Sequence, residues 1–196
     1  MTGTLAKAMY LGVALLASGA MLGPAQAADL SEADIAALKD LRTGDMKKLL
    51  FASEPTPLPR MDIVDAAGAS TSLDAYKGEW LVLNFWATWC APCRVEMPML
   101  SNLQTHFKDE PVRVVTVATG RNSPQGIKRF FDEIEVDNLP EYRDPTQALA
   151  RAMSILGLPI TVIIDPEGRE IARLRGDAHW DSPSAIAILN ALSSGS

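Results

Sequence analysis

One seven-residue run constrains the fold of this chain more than any other feature: Trp80-Leu81-Val82-Leu83-Asn84-Phe85-Trp86. The run is almost continuously apolar and has the length of a strand, which is typical of a β-strand buried on both faces. A strand of that kind lies inside a sheet that is covered by other elements on each side. We therefore interpret it as the central strand of an α/β domain.

The segments after this strand predict further elements of such a domain. Val95, Met99, Leu103 and Phe107 recur at helical spacing, and Val112 to Ala118 is a second buried strand. A right-handed crossover would make the two strands parallel. The remaining predicted elements are helices over residues 124–134, 146–153 and 184–192 and hairpins over residues 61–73 and 160–174. This order predicts a mixed central sheet with helices on both faces.

The N-terminal residues 1–27 have the pattern of a secretory signal peptide. Lys7 precedes a mostly apolar, uncharged stretch over residues 8–23, and Ala25-Gln26-Ala27 matches a small-x-small cleavage site. The stretch is short for a transmembrane span, which needs about 20 residues, although an uncleaved anchor formed by residues 8–23 is an alternative. Either form predicts an exported protein of the periplasm.

The rest of the chain is predicted to hold one domain with a short extension. Ser31 can cap a helix, Met46 to Phe51 can add further helical turns, and Pro55-Thr56-Pro57-Leu58-Pro59 is typical of an extended linker. We therefore expect a helical extension and linker over residues 28–57, a globular domain over 58–192 and a fraying tail over 193–196. The formal net charge of −6 argues against nucleic acid as a partner.

The chain has two cysteines, Cys90 and Cys93, which are separated by two residues. A bridge over so small a loop stabilises little by chain entropy, so redox chemistry explains the pair better than a structural disulfide does. Cys90 lies between strand and helix, where free amides and the helix dipole favour a thiolate, and is the expected nucleophile. Cys93 can then attack the mixed disulfide and resolve it. Ala91 and Pro92 offer no charged partner to a thiolate, which favours a reducing couple.

A zinc site is the alternative interpretation of the cysteine pair. It needs two more ligands, and the histidines His106 and His179 are the remaining candidates. His106 falls late in a predicted helix, as a solvated or capping residue does, and His179 precedes Trp180 in a predicted loop. We expect no metal and no other cofactor.

Three motifs carry a resemblance to a known family. They are Asn84-Phe85-Trp86-Ala87-Thr88-Trp89-Cys90-Ala91-Pro92-Cys93, then Glu96-Met97-Pro98, then Gly157-Leu158-Pro159-Ile160-Thr161. Over residues 58–192 the chain resembles the thioredoxin-like superfamily and, more narrowly, the TlpA/ResA branch of exported thiol:disulfide reductases.

The resemblance implies a thioredoxin-like fold and a set of substrate contacts. Pro159 is expected to follow a cis peptide bond that places the backbone of Leu158 next to Cys90, where a substrate strand can pair. Trp89, with Ala91 and Pro92, is expected to form the substrate-facing rim, whereas Trp86 is expected in the core.

The resemblance also implies a role for Glu96, which aligns with an acid that tunes the titration of the cysteines. A solvated helix glutamate is the alternative. Where thioredoxin has a buried aspartate this chain has Asn84, so the proton acceptor for Cys93 is Glu96, water or the substrate.

The function implied is a monomeric dithiol reductase of disulfides in client proteins. The clients expected from the family belong to cytochrome oxidase copper-site assembly or cytochrome c maturation, with a membrane thiol-electron carrier as donor. An oxidant that donates its disulfide is one alternative. A copper-binding assembly factor is another, although the chain lacks the Cys-x-x-x-Cys spacing of such proteins. A peroxidase would place a cysteine in a Thr-x-x-Cys context, which is absent from this sequence.

Overall fold

The structure, a computed structural model, describes residues 30–194. The expected signal segment 1–27 and the last two residues of the expected tail lie outside the described residues. The helices are α1 (Glu32–Asp40), α2 (Ala91–His106), α3 (Pro124–Glu133), α4 (Ala148–Ala152) and α5 (Pro183–Ser194). The strands are β1 (Leu50–Pro57), β2 (Asp62–Val64), β3 (Ser70–Ser72), β4 (Trp80–Trp86), β5 (Val112–Thr119), β6 (Tyr142–Asp144), β7 (Ile160–Ile164) and β8 (Arg169–Arg175).

All of these strands belong to one mixed sheet in the order β1-β8-β7-β4-β5-β6-β2-β3. The predicted central strand is β4, which pairs in parallel with β5 and antiparallel with β7. Its residues are all buried, as expected for a strand covered on both faces. The predicted α/β class and the predicted parallel pair are both confirmed.

Side chains of β4 alternate between two hydrophobic cores, because successive residues of a strand point to opposite faces. Trp80, Val82 and Trp86 pack into the core that contains α2, α3 and α5. Leu81, Leu83 and Phe85 pack into the other core, with residues of α4. Asn84 therefore shares a face with Trp86, and it is completely buried on the side of α2.

The segment before the domain differs in part from the prediction. The predicted helix at Ser31 forms as α1 with a capping box, in which Ser31 and Asp34 bond each other's backbone amides. Of the predicted turns over Met46 to Phe51, one 3₁₀ turn forms over Gly44–Lys48, whereas Leu50 and Phe51 belong to β1. The proline-rich residues are not a linker up to Pro57, since β1 pairs with β8. Prolines are tolerated there because an edge strand leaves one side of its backbone unpaired.

Two smaller differences concern β6 and the C-terminus. The parallel pairing of β6 with β5 was not predicted, since a three-residue strand is too short to show periodicity. Helix α5 continues to Ser194, so Ser193 and Ser194 belong to the helix and not to a tail. Among residues 30–194 no helix has the length and apolar character needed to span a bilayer.

Candidate active site

The cysteine motif and the cis-proline motif lie at the same end of two neighbouring strands, because β4 and β7 are antiparallel. Phe85 near the end of β4 is paired with Ile160 at the start of β7. Beyond β4 the chain reaches Cys90 within one short loop, and directly before β7 lies the Leu158–Pro159 bond, which is cis. The cis proline predicted from the resemblance is confirmed. It directly precedes β7, the neighbour of the strand that leads to the cysteines.

Cys90 and Cys93 form a disulfide at the start of α2. Cys90 is the N-cap of the helix, and its Sγ accepts a hydrogen bond of 3.3 Å from the Cys93 amide. Cys90 is 6% exposed, whereas Cys93 is completely buried. After reduction, the amides and the dipole at the helix N-terminus favour an anionic sulfur at this position. Of the two cysteines, Cys90 is the one that retains exposed surface.

The loop that carries Cys90 is tied to the end of β5 by Asn122. The amide and the hydroxyl of Thr88 both donate to Asn122 Oδ1, at 2.8 and 3.0 Å. Asn122 Nδ2 donates in turn to the Thr119 carbonyl at 2.9 Å, and the Asn122 side chain is buried. No pattern in the sequence indicates this residue, because a lone asparagine 34 positions from its partner carries no periodic signal.

The residues predicted to form the substrate-facing rim are accessible. Trp89 is 68% exposed, and Ala91 and Pro92 are exposed at the first turn of α2. Trp86 is completely buried and packs against Phe130, with ring centroids 4.6 Å apart. Trp89 is thus a surface residue, and Trp86 is a core residue, as expected.

Glu96 is completely buried, so its alternative interpretation as a solvated helix residue is wrong. Its Oε1 accepts a hydrogen bond of 2.8 Å from Asn84 Nδ2, which also donates to Thr161 Oγ1 at 2.9 Å. Its Oε2 accepts from the Ala178 amide at 3.3 Å. The carboxyl group therefore bonds to β4 on one side and to the loop before α5 on the other.

Burial raises the pKa of Glu96 to about 8, because the charged carboxylate loses its hydration. The bonds from Asn84 and Ala178 oppose this effect in part, and the nearby indole of Trp180 does so more weakly. Glu96 lies three residues after Cys93, which places both side chains on the same face of α2. The site therefore holds an acid that can exchange a proton near neutral pH beside the buried sulfur.

Arg94, the first cation after Cys90, is engaged by two residues of α3. The Arg94 guanidinium lies over the Phe130 ring, 4.4 Å from the centroid, and bonds Glu133 at 3.0 Å. Arg94 therefore neutralises an acid of α3, and the stabilisation of a Cys90 thiolate falls mainly to the helix N-terminus.

Each histidine contacts a residue other than the two cysteines. The His106 ring packs edge-on against Phe107, and His179 Nδ1 lies 2.6 Å from Asp45 Oδ2. Within residues 30–194 no group of three or more His, Cys, Asp or Glu side chains could hold a metal ion.

Comparisons with known proteins agree with this geometry. The profile of the AhpC/TSA family matches residues 55–171. Thiol-disulfide oxidoreductase ResA of Bacillus subtilis is 34% identical over 124 residues, which cover 63% of this chain and 68% of ResA. Thiol:disulfide interchange protein HelX of Rhodobacter capsulatus is 30% identical over 126 residues, covering 64% of this chain and 69% of HelX.

One solved structure supports the fold. The thioredoxin domain of a thiol-disulfide oxidoreductase from Bacteroides vulgatus superimposes with a TM-score of 0.61 at 23% identity, covering 72% of this chain and 99% of that domain. The fold is therefore thioredoxin-like, as expected from the sequence.

Proposed function

Because the chain belongs to the AhpC/TSA family and is a thioredoxin-like thiol-disulfide oxidoreductase of the TlpA/ResA branch, we propose that it reduces disulfides of client proteins outside the cytoplasm. The observation that carries this direction is the lack of charge on Ala91 and Pro92 between the two sulfurs, together with the engagement of Arg94 by Glu133 and Phe130.

The proposed reaction has two exchange steps. The Cys90 thiolate attacks one sulfur of the client disulfide, which forms a mixed disulfide and releases the other client sulfur as a thiolate. Cys93 then gives its proton to Glu96 and attacks the Cys90 sulfur. This step closes the Cys90–Cys93 disulfide and releases the second client sulfur, so two electrons pass from this protein to the client.

The surroundings of the two sulfurs favour the reducing direction. A strong oxidant has a reduced form that is stabilised, as by a low-pKa thiolate. Here Arg94 is engaged with Glu133 and Phe130, Ala91 and Pro92 carry no charge, and Cys93 shares its helix face with an acid. These features leave the dithiol poorly stabilised relative to the disulfide, which is the property of a reductant.

The client and the donor follow from the family resemblance. We propose that the clients are disulfide-bearing assembly proteins of cytochrome oxidase copper sites or of cytochrome c maturation. A membrane thiol-electron carrier would return two electrons to the Cys90–Cys93 disulfide. The signal pattern of residues 1–27 supports a periplasmic location. A monomer suffices for this reaction, since both cysteines, Glu96 and the cis-proline loop belong to one chain.

The test is a covalent trap with Cys93→Ala. This variant keeps the attacking sulfur and lacks the resolving one, so we expect mixed disulfides between Cys90 and its clients to accumulate in the exported fraction of cells. The adducts should disappear under reductant and should be absent from the Cys90→Ala, Cys93→Ala double variant. The clients recovered should carry cysteine pairs.

Two results would contradict the proposal. One is the absence of any reductant-sensitive adduct with Cys93→Ala. The other is a wild-type protein whose Cys90–Cys93 pair is mainly oxidised in growing cells, as measured by acid quenching and thiol alkylation, because a reductase is kept reduced by its donor.

A further inference from the structure

Residues 177–180, in the loop between β8 and α5, cover the buried Glu96. The Ala178 amide bonds Glu96 Oε2 at 3.3 Å, and Ala178 and Trp180 are 3% and 1% exposed. Asp177 is the charged group whose field acts on Glu96, and it opposes ionisation of that carboxyl group. The position of this loop therefore decides both the hydrogen bond to Glu96 and the access of water to it.

Two side chains of the N-terminal extension hold this loop on both sides of Ala178. Asp45 Oδ2 accepts from His179 Nδ1 at 2.6 Å and from the His179 amide at 3.3 Å. Lys48 Nζ donates to the Asp177 carbonyl at 2.6 Å and pairs with Asp45 at 3.1 Å. We call Asp45 and Lys48 the N-terminal latch.

The latch is itself anchored to the domain. Ser184 at the start of α5 accepts a bond of 3.0 Å from the Thr43 amide and donates one of 2.7 Å to the Leu41 carbonyl. Met46 and Leu49, which flank Lys48, are each 1% exposed within the core. Because the 3₁₀ turn (Gly44–Lys48) is fixed on the domain, its bonds to residues 177 and 179 also fix the position of the loop.

We propose that Asp45 and Lys48 are positioning residues for Glu96, which hold the Ala178 amide on its carboxyl group and keep water out of the buried site. The inference deepens the proposed function and rests on it for the role of Glu96 as the proton acceptor of Cys93. The latch precedes residues 55–171, the part of the chain that the family profile matches.

The charge of Asp45 suits this role over the pH range in which Glu96 titrates. The hydrogen bond from His179, together with Lys48, lowers the pKa of Asp45 to about 2. The carboxylate is therefore ionised throughout the neutral range and accepts both His179 bonds whether or not Glu96 carries a proton.

The test follows the Glu96 carboxyl signal by carbon NMR in oxidised protein labelled with ¹³C-glutamate. The oxidised state is chosen because the disulfide sulfurs do not titrate, so the signal reports Glu96 alone, and Glu96→Gln assigns it. In Asp45→Asn we expect the midpoint to fall by about one pH unit or more, because burial is the largest cause of the raised pKa and a loosened loop admits water. Exchange of the Ala178 amide with deuterium should become roughly tenfold faster.

Matched variants separate positioning from a general loss of stability. Lys48→Met should shift both readouts in the same direction, and Lys48→Arg should restore them because a guanidinium can still donate to the Asp177 carbonyl. His179→Gln removes the ring bond and keeps the amide bond, so it should give a smaller shift. Asp132→Asn removes an aspartate paired at 2.7 Å with Lys128 on the surface of α3, and it should change neither readout.

The proposal is overturned if Asp45→Asn and Lys48→Met leave the Glu96 midpoint and the Ala178 exchange at wild-type values, or if Asp132→Asn shifts them equally. Should Asp45→Asn not fold, Lys48→Met and His179→Gln decide the question. Because these readouts need no client, a protein without reductase activity would refute the proposed function while the latch is still tested. Conversely, an active protein with an unmoved midpoint would refute only the latch.

Discussion

Cys90 and Cys93 belong to one disulfide but lie in different surroundings. Cys90 caps α2 beside Trp89, which is 68% exposed, and its sulfur is bonded by a helix amide. Cys93 has no exposed surface and shares its helix face with Glu96, which is equally buried. One helical turn thus separates a cysteine that retains some exposed surface from one that is completely buried on the same helix face as an acid.

This difference assigns the two steps of thiol exchange to two environments. Attack on a client needs access and a stabilised thiolate, which the rim and the helix N-terminus supply. Release of the client needs a proton acceptor for the second thiol, the role we propose for Glu96, whose pKa burial raises to about 8. Changes at Glu96 should therefore affect release, and changes at Trp89 should affect the encounter with a client.

The largest effect is expected for Glu96→Gln on release of the mixed disulfide. The substitution keeps the shape of the side chain and removes the proton acceptor, so the resolving step should slow by roughly 100-fold. Attack by Cys90 on the disulfide should keep its wild-type rate. Rapid mixing of the reduced protein with a disulfide peptide, acid quenching and mass spectrometry of the adduct measure both steps.

Glu54→Gln is the matched control for this experiment. Glu54 is an exposed glutamate of β1, so its loss changes the surface charge and leaves the buried acid and the Arg94–Glu133 pair intact. If release of the client slows equally in both variants, or is unchanged in Glu96→Gln, then Glu96 is not the proton acceptor of Cys93.

A smaller effect is expected in the pH dependence of stability of the oxidised protein. The pKa of Glu96 is raised from 4.5 to about 8 on folding, so between these values the folded state holds a proton that the unfolded state has released. The free energy of unfolding should therefore be highest at the acid side of this window and fall as the pH rises through 8, with a slope of at most about 1.4 kcal/mol per pH unit. Urea unfolding from pH 5 to 9, compared with Glu96→Gln, isolates this contribution. If the difference in free energy of unfolding between wild type and Glu96→Gln stays constant or rises with pH, Glu96 is ionised in the folded protein.

The smallest effect is expected for Trp89→Ala. Because the side chain is mostly exposed, its loss should change the free energy of unfolding by less than about 0.5 kcal/mol. The KM for a protein client should rise several-fold, while kcat and the reaction with a small disulfide stay near wild type. Leu50→Ala, which removes another apolar side chain with 60% exposure on β1, is the control that should leave KM unchanged. An equal loss of activity toward the small disulfide would place Trp89 in the chemistry and not in the encounter.

Much of the fold was predictable because its central elements have clear periodicity. The apolar run of β4, the helical spacing in α2 and the turn between β7 and β8 each indicate one structure. Strand β1 was missed because prolines usually end a strand, and only the sheet order shows that they lie on an edge.

The burial of Glu96 could not be predicted for a different reason. Its spacing from Cys93 gives the helix face, but the cover over that face comes from Ala178 and Trp180, more than 80 residues away. The Asn122 bonds to Thr88 and the contacts of Asp45 with His179 likewise join residues far apart in sequence, by 34 and 134 positions. Such contacts depend on tertiary packing, and a single polar residue has no periodic sequence pattern from which its partner could be predicted.

The reduction potential of the Cys90–Cys93 couple, equilibrated with defined thiol buffers, tests the central claim most directly. A charge-poor rim and a buried acid beside Cys93 predict a value near the reducing end of the scale, toward the about −270 mV of thioredoxin. A value near about −120 mV, at the oxidising end, would contradict the account and make this protein a donor of disulfides.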